Sequence, residues 1–121
     1  MRLTVDVEKK LERVYVLHPK GSIDGTSYTI LASEVDALIA KNPRLVIFDL
    51  KDVHFVSSAG LGVVLVAEQK MKELGGNTLM VNLQPQIRKV FDIVKMLPPE
   101  QMLGSIEDLD RYLEEIQRKS S

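Results

Sequence analysis

The chain has 121 residues, of which 45% are hydrophobic and 27% charged, with a formal net charge of −1 and no cysteine. These figures fit one globular domain over 1–121, able to bury about two-thirds of its unfolded surface without covalent staples. They exclude a disordered chain, a disulfide framework and a cysteine-type zinc site, and they argue against a basic nucleic-acid face. The opening Met1–Asp6 shows no secretory apolar run. The longest apolar stretch, Leu61–Ala67 broken only by Gly62, is far below the roughly 18 residues of a membrane span. A soluble, cytoplasmic protein with no membrane association is expected.

Residues Leu3–Glu8 alternate apolar and polar with period two, the pattern of an edge or half-buried strand. Charged residues from Glu8 to Glu12 make a turn, and Arg13–Pro19 reads as the hairpin partner, ended by Pro19. Lys20–Thr26, with glycines at 21 and 25, reads as a loop. From about Ser27 the period becomes helical. Ile30, Leu31, Val35, Leu38 and Ile39 form one stripe, and Pro43 closes the region. Leu45–Leu50 is a nearly unbroken apolar run, which suits a central parallel strand buried on both faces.

Lys51–His54 reads as a polar connection. Leu61–Leu74 reads as a helix stopped by Gly75-Gly76, and Thr78–Leu83 as another buried strand. Pro85 opens a third helix, which runs to about Leu97 before Pro98-Pro99. Ser105 N-caps a last helix with a stripe of Ile106, Leu109, Leu113 and Ile116, and the polar tail 117–121 is expected to fray. The order predicts an α/β fold, a mixed, partly parallel sheet of four to five strands with about four helices.

The segment Phe55-Val56-Ser57-Ser58-Ala59-Gly60-Leu61-Gly62 lies near the carboxyl end of the central strand. In open α/β sheets, functional groups gather at that edge. Either Ser57 or Ser58 fits the N-cap of the helix that follows. Gly60 and Gly62 fall in or near its first turn, where each costs about 0.8–1 kcal/mol relative to alanine. Close approach of a neighbour, a phosphate or a partner would account for them. A phosphoserine at a helix start has its charge partly compensated by the macrodipole and the unpaired N–H groups. Three readings stay open from these residues. The first is a plain cap on a helix packed tightly against the sheet, and the second is a phosphoacceptor loop. The third is a nucleotide-cradling loop, which lacks both Gly-Lys-Ser/Thr and Gly-x-Gly-x-x-Gly.

The run Leu45–Leu50 followed by Phe55–Gly62 resembles the strand-to-helix signature of STAS-domain anti-sigma-factor antagonists. That signature reads roughly hydrophobic-Asp-Ser-Ser/Thr/Ala-Gly-Leu-Gly, and the serine after the Asp is the phosphorylation site. Matched residue by residue, Ser57 stands at the Asp, Ser58 at the phosphorylated serine and Ala59 at the small residue. Gly60, Leu61 and Gly62 match directly. Gly21-Ser22-Ile23-Asp24 resembles the family's Gly-Glu-hydrophobic-Asp before the first helix. Ile87–Leu97 resembles its third helix and Ile106–Leu113 its closing helix, so the likeness extends over nearly the whole chain. The chain departs from the pattern at Ser57, and at Pro98-Pro99, where the family often has a glycine-containing turn.

The resemblance implies the STAS fold and a partner-switching regulator. Unphosphorylated, such a protein binds an anti-sigma factor that is also a serine-protein kinase; phosphorylation releases it, and a phosphatase resets it. The resemblance implies Ser58 as the phosphoacceptor, with Ser57 the next choice. It also implies a partner surface of Asp24, Ser57, Ala59, Gly60, Gly62, Val63 and Val66.

In the helix after the signature, Leu61, Val64 and Leu65 suit the sheet-facing side. Val63 and Val66 are left for a neighbouring helix or an exposed apolar patch. Asp24 fits a turn or helix-start residue. His18 and His54 have no second ligand at metal spacing and read as solvated. No nucleophile, base and orienter form a recognisable set, so no enzyme is expected, and neither is a metal or a cofactor. Two other functions stand beside the switch. One is a non-phosphorylated STAS scaffold or subunit of a larger signalling or lipid-transport assembly, and the other is a nucleotide-binding module. A monomer or a weak dimer is expected.

Overall fold

The computed structural model of the chain describes residues 2–94, 102 and 103. Strands β1 (Thr4–Leu11) and β2 (Val14–Ile23) form an antiparallel hairpin. The chain continues through α1 (Tyr28–Ile39), β3 (Leu45–Asp49), β4 (Asp52–Val56), α2 (Ser58–Glu73), β5 (Asn77–Val81), α3 (Pro85–Val94) and β6 (Met102–Leu103). The sheet order is β1-β2-β3-β5-β6, with β4 paired to β2. Every pairing after the hairpin is parallel.

β3 pairs with Val14–Leu17 of β2 and β4 with Lys20–Ile23, so these two short strands follow one another along the same neighbour. The sheet is thus mixed and five strands wide, and the described residues hold three helices. This is the expected α/β architecture. The helix expected from Ser105, the end of the third helix near Leu97 and the tail 117–121 lie outside the described residues.

All five residues of β3 are buried. The strand lies between β2 and β5, and apolar clusters sit on both of its faces, which is why its sequence is apolar up to the buried Asp49 at its end. On one face, Leu17, Val46, Phe48 and Met80 meet side chains of all three helices. These are Leu31, Val35 and Leu38 of α1, Val64, Ala67 and Met71 of α2, and Ile87 and Phe91 of α3. A second cluster of Val14, Val16, Leu45, Ile47, Leu79 and Val81 covers the other face. α2 ends at the two glycines as expected. Gly76 N–H donates to Met71 O at 2.8 Å and Gly75 N–H to Lys72 O at 3.0 Å, with Gly75 at φ 77°. That pair of bonds closes the helix in a Schellman motif.

Several boundaries differ from the expected ones. The turn expected over Glu8–Glu12 shrinks to Glu12 and Arg13, because β1 continues its ladder with β2 to Leu11, and β5 covers Asn77–Val81 rather than Thr78–Leu83. The loop expected over Lys20–Thr26 starts only after Ile23, because β2 runs on through Pro19 and Gly21. Pro19 is tolerated because it falls between the two parallel ladders, where β2 has no partner on that edge. Asp52–Val56 is a strand rather than a polar connection. A bulge between Gly21 and Ser22 shifts its register against β2. Val53 and Val56 are buried while His54 and Phe55 are exposed, so the period of two is hidden. Finally, α2 begins at Ser58, three residues before the expected Leu61.

Candidate functional site

β2 and β4 are parallel neighbours with Ile23 opposite Val56, so Asp24 and Ser57 leave the sheet side by side. The Ser57 N–H donates to the Ile23 carbonyl at 2.8 Å. Ser57 has extended backbone angles, and its Oγ accepts from Gly60 N–H at 3.3 Å, which makes it the N-cap of α2. The bond is at the long end of the useful range. Ser58 is the first helical residue and is exposed. At a helix start the first N–H groups have no intrahelical partner, and the positive end of the dipole lies there. A hydroxyl in that place is accessible to an enzyme, and negative charge added to it is partly offset.

Asp24 organises the neighbouring loop. Its Oδ1 accepts from Thr26 N–H at 2.9 Å, Thr26 Oγ1 at 2.8 Å and Ser27 N–H at 3.1 Å. Its carbonyl accepts from Tyr28 N–H at 2.9 Å, which starts α1. Ser27 Oγ donates to Ser22 O at 2.7 Å and accepts from Asp24 N–H at 3.0 Å. The Thr26 hydroxyl, followed by the Thr26 N–H, holds the Asp24 carboxyl below its ordinary value of 3.8; desolvation opposes this, and the Ser27 bonds add to it. Thr26 and Ser27 are absent from the expected site, although Asp-x-Thr-Ser ahead of a helix is a readable capping signal.

The two glycines of the signature differ. Gly60 is buried, and a Cβ there would lie 2.7 Å from Ile23 Cγ2, 2.9 Å from Ile23 O and 3.0 Å from Val56 Cγ1. The first turn of α2 therefore rests directly on the end of β2. A Cβ on Gly62 would meet nothing within 4 Å. The interior of the chain gives no reason for that glycine.

A groove of about 340 Å³ runs between α1 and α2. Tyr28, Ala32 and Val35 line one wall and Ala59, Gly62, Val63 and Val66 the other. Asp36 and Lys70, also on its lining, pair at 3.1 Å. Val63 is nearly buried in the core, whereas Val66 is 48% exposed. Leu65 does not face the sheet as expected; it is 44% exposed. Leu61, Val64, Ala67 and Met71 take the inner face instead, and in a helix their neighbour Leu65 is turned outward.

A model of the STAS domain matches residues 7–108. The chain belongs to the STAS-domain family. It is 31% identical over 93 residues to the Bordetella bronchiseptica protein BtrV, covering 77% of this chain and 78% of that one. It is 32% identical over 93 residues to the anti-sigma-B factor antagonist of Bacillus subtilis, covering 77% of this chain and 84% of that one. Its fold matches that of the anti-sigma factor antagonist SpoIIAA in its unphosphorylated form at a TM-score of 0.74 and 22% identity. That match covers 90% of this chain and 97% of SpoIIAA. No described helix is long and apolar enough to cross a membrane.

Within this STAS domain the β2–α1 loop and the β4–α2 loop bring Asp24, Ser57 and Ser58 to one edge of the sheet. Ala59, Gly62, Val63 and Val66 line the groove that starts there. His18 is not a solvated residue. Its ring lies 3.1 Å from Asp49 Oδ2 and 2.9 Å from Glu8 Oε1. The sequence carries no local sign of this cluster, because Asp49 is 31 residues away and only strand register unites the two. His54 is exposed as expected.

Proposed function

We propose that this STAS domain, spanning 1–121, is a cytoplasmic anti-sigma-factor antagonist that works by partner switching and is not an enzyme. Unphosphorylated, it binds an anti-sigma factor with serine-kinase activity. Phosphorylated at Ser58, it lets that partner go, and a phosphatase restores it. The observation that carries this reading is the exposure of Ser58 at the first position of α2, beside a Ser57 that is engaged as the cap. The relative named anti-sigma-B factor antagonist supports it at 32% identity.

The chemistry of release follows from charge and desolvation. A phosphate adds about −1.5 to −2 charges. Ser58 adjoins an apolar groove through Ala59, so a partner that covers the groove also covers Ser58. Enclosing a doubly charged group without a paired cation is costly. Ser57 and Asp24 contribute to the same surface. Gly60 acts beneath it by seating the helix.

Incubation with the cognate kinase and ATP, followed by mapping of the phosphate, tests the acceptor. Modification at Ser58 is the expected result, and modification confined to Ser57 moves the acceptor by one residue. The Ser58→Asp variant should keep its circular dichroism spectrum and bind the kinase more weakly in calorimetry. A second reading rests on Ser57, which stands where the family signature carries Asp and so lacks a negative charge before the acceptor. It makes the chain a constitutive scaffold. Absence of phosphorylation together with unchanged binding by Ser58→Asp would assign that role.

A further inference from the structure

β1 is an edge strand, and one side chain of its partner β2 ties it to the middle of the sheet. His18 Nδ1 lies 3.1 Å from Asp49 Oδ2 on β3, and Nε2 lies 2.9 Å from Glu8 Oε1 on β1. Asp49 is 1% exposed, and its Oδ1 accepts from Asn82 Nδ2 at 3.1 Å and from Lys51 N–H at 3.2 Å. The side chain of Glu8 is half exposed. Asp6 stands opposite His18 in the hairpin register, and Lys20 follows two residues along β2. Lys51 Nζ is 3.9 Å from Asp49 Oδ2.

Ionised carboxylates only accept hydrogen bonds. A neutral imidazole carries one N–H and an imidazolium carries two. Both contacts of His18 are therefore hydrogen bonds only when the ring is protonated. A neutral ring has to choose between the carboxylates. Asp49 is enclosed and fixed by two other donors, and an acceptor left facing a lone pair there has no water to turn to. Glu8 does have water. The neutral ring thus keeps its proton on Nδ1, and Glu8 swings into solvent.

We propose that His18 is a proton-operated clasp, closed onto the edge strand through Glu8 when protonated and holding Asp49 alone when neutral. The clasp closes when the ring takes up its second proton and opens when that proton is lost. This device is independent of the Ser58 switch, since none of its groups lies in the β4–α2 loop.

Long-range 1H–15N spectra of the labelled protein between pH 5 and 8.5 read both ring nitrogens of His18, with His54→Gln removing the only other histidine signal. Amide exchange along β1, normalised to intrinsic rates, is followed in the same samples. Both nitrogens should be protonated at low pH, and the Nδ1–H tautomer should remain at high pH. Exchange of β1 should speed up about twofold to fivefold across the range, the size of a partly exposed charge pair. In Glu8→Gln the amide can accept from the imidazolium or donate to the neutral ring, so its β1 exchange should be flat with pH. An Nε2–H tautomer at high pH, or identical exchange profiles for wild type and Glu8→Gln, would overturn the clasp.

Discussion

Gly60 and Ile23 approach more closely than any side chain on the glycine would permit. A Cβ on Gly60 would lie 2.7 Å from Ile23 Cγ2 and 2.9 Å from its carbonyl oxygen. The same carbonyl accepts the Ser57 N–H at 2.8 Å. The β4–α2 loop and the first turn of α2 are thus both fastened to the last residue of β2.

Gly60→Ala should therefore destabilise the fold. One of the clashing atoms is a backbone oxygen already bonded to Ser57, so it has little room to move. Overpacking of this kind costs about 1–3 kcal/mol. Urea unfolding should show a lower midpoint with an unchanged slope. An unchanged midpoint would mean that the first turn lifts off the strand without penalty.

Gly62→Ala should do the opposite. Nothing lies within 4 Å of the added methyl, and the position is inside α2. Replacing glycine by alanine in a helix interior gains up to about 1 kcal/mol. If the groove between α1 and α2 receives the kinase, the stabilised variant should bind that partner more weakly. A stabilised variant with normal affinity would remove Gly62 from the docking surface.

The two serines should separate in stability and in modification. Ser57→Ala removes the cap of α2 and should cost about 0.5–2 kcal/mol. Ser58→Ala alters an exposed first helical position and should stay within about 0.5 kcal/mol of wild type. Phosphate incorporation should survive in the first variant and vanish in the second. Equal destabilisation of both would contradict the division into cap and acceptor.

Asp24 gives a pH dependence at the acid end. The Thr26 hydroxyl and N–H favour its ionised form in the folded protein, so its folded value lies below the ordinary 3.8. A depressed carboxyl stabilises the fold above the ordinary value, and that contribution is lost as the pH falls through the depressed one. Acid unfolding followed by circular dichroism should show a steep limb below about pH 4 in wild type. Asp24→Asn, which cannot ionise, should flatten that limb. Identical limbs would mean that Thr26 and Ser27 bind the neutral carboxyl equally well.

Sequence alone determined the features that local rules govern. The nearly unbroken run of β3 announced burial on both faces, the stripe of α1 announced one packed side, and Gly75-Gly76 marked the stop of α2. The Ser-Ser-Ala-Gly-Leu-Gly signature placed the candidate site at the start of a helix. Each of these depends on neighbours within a turn or on a short hydrophobic period. Tertiary structure decided the rest. β4 became a strand because Lys20–Ile23 of β2 offered it a ladder, and the bulge at Gly21/Ser22 hid its alternation. Pro19 stayed inside a strand because it met the gap between two partners. Gly60 and Gly62 look alike in sequence, and only the contact with Ile23 separates a glycine needed inside the fold from one facing open space. His18 gained two carboxylate partners because strand register, not sequence distance, brings Glu8 and Asp49 to its ring. Hydrogen-bond ladders and side-chain contacts across strands join residues tens of positions apart, and no local pattern encodes them.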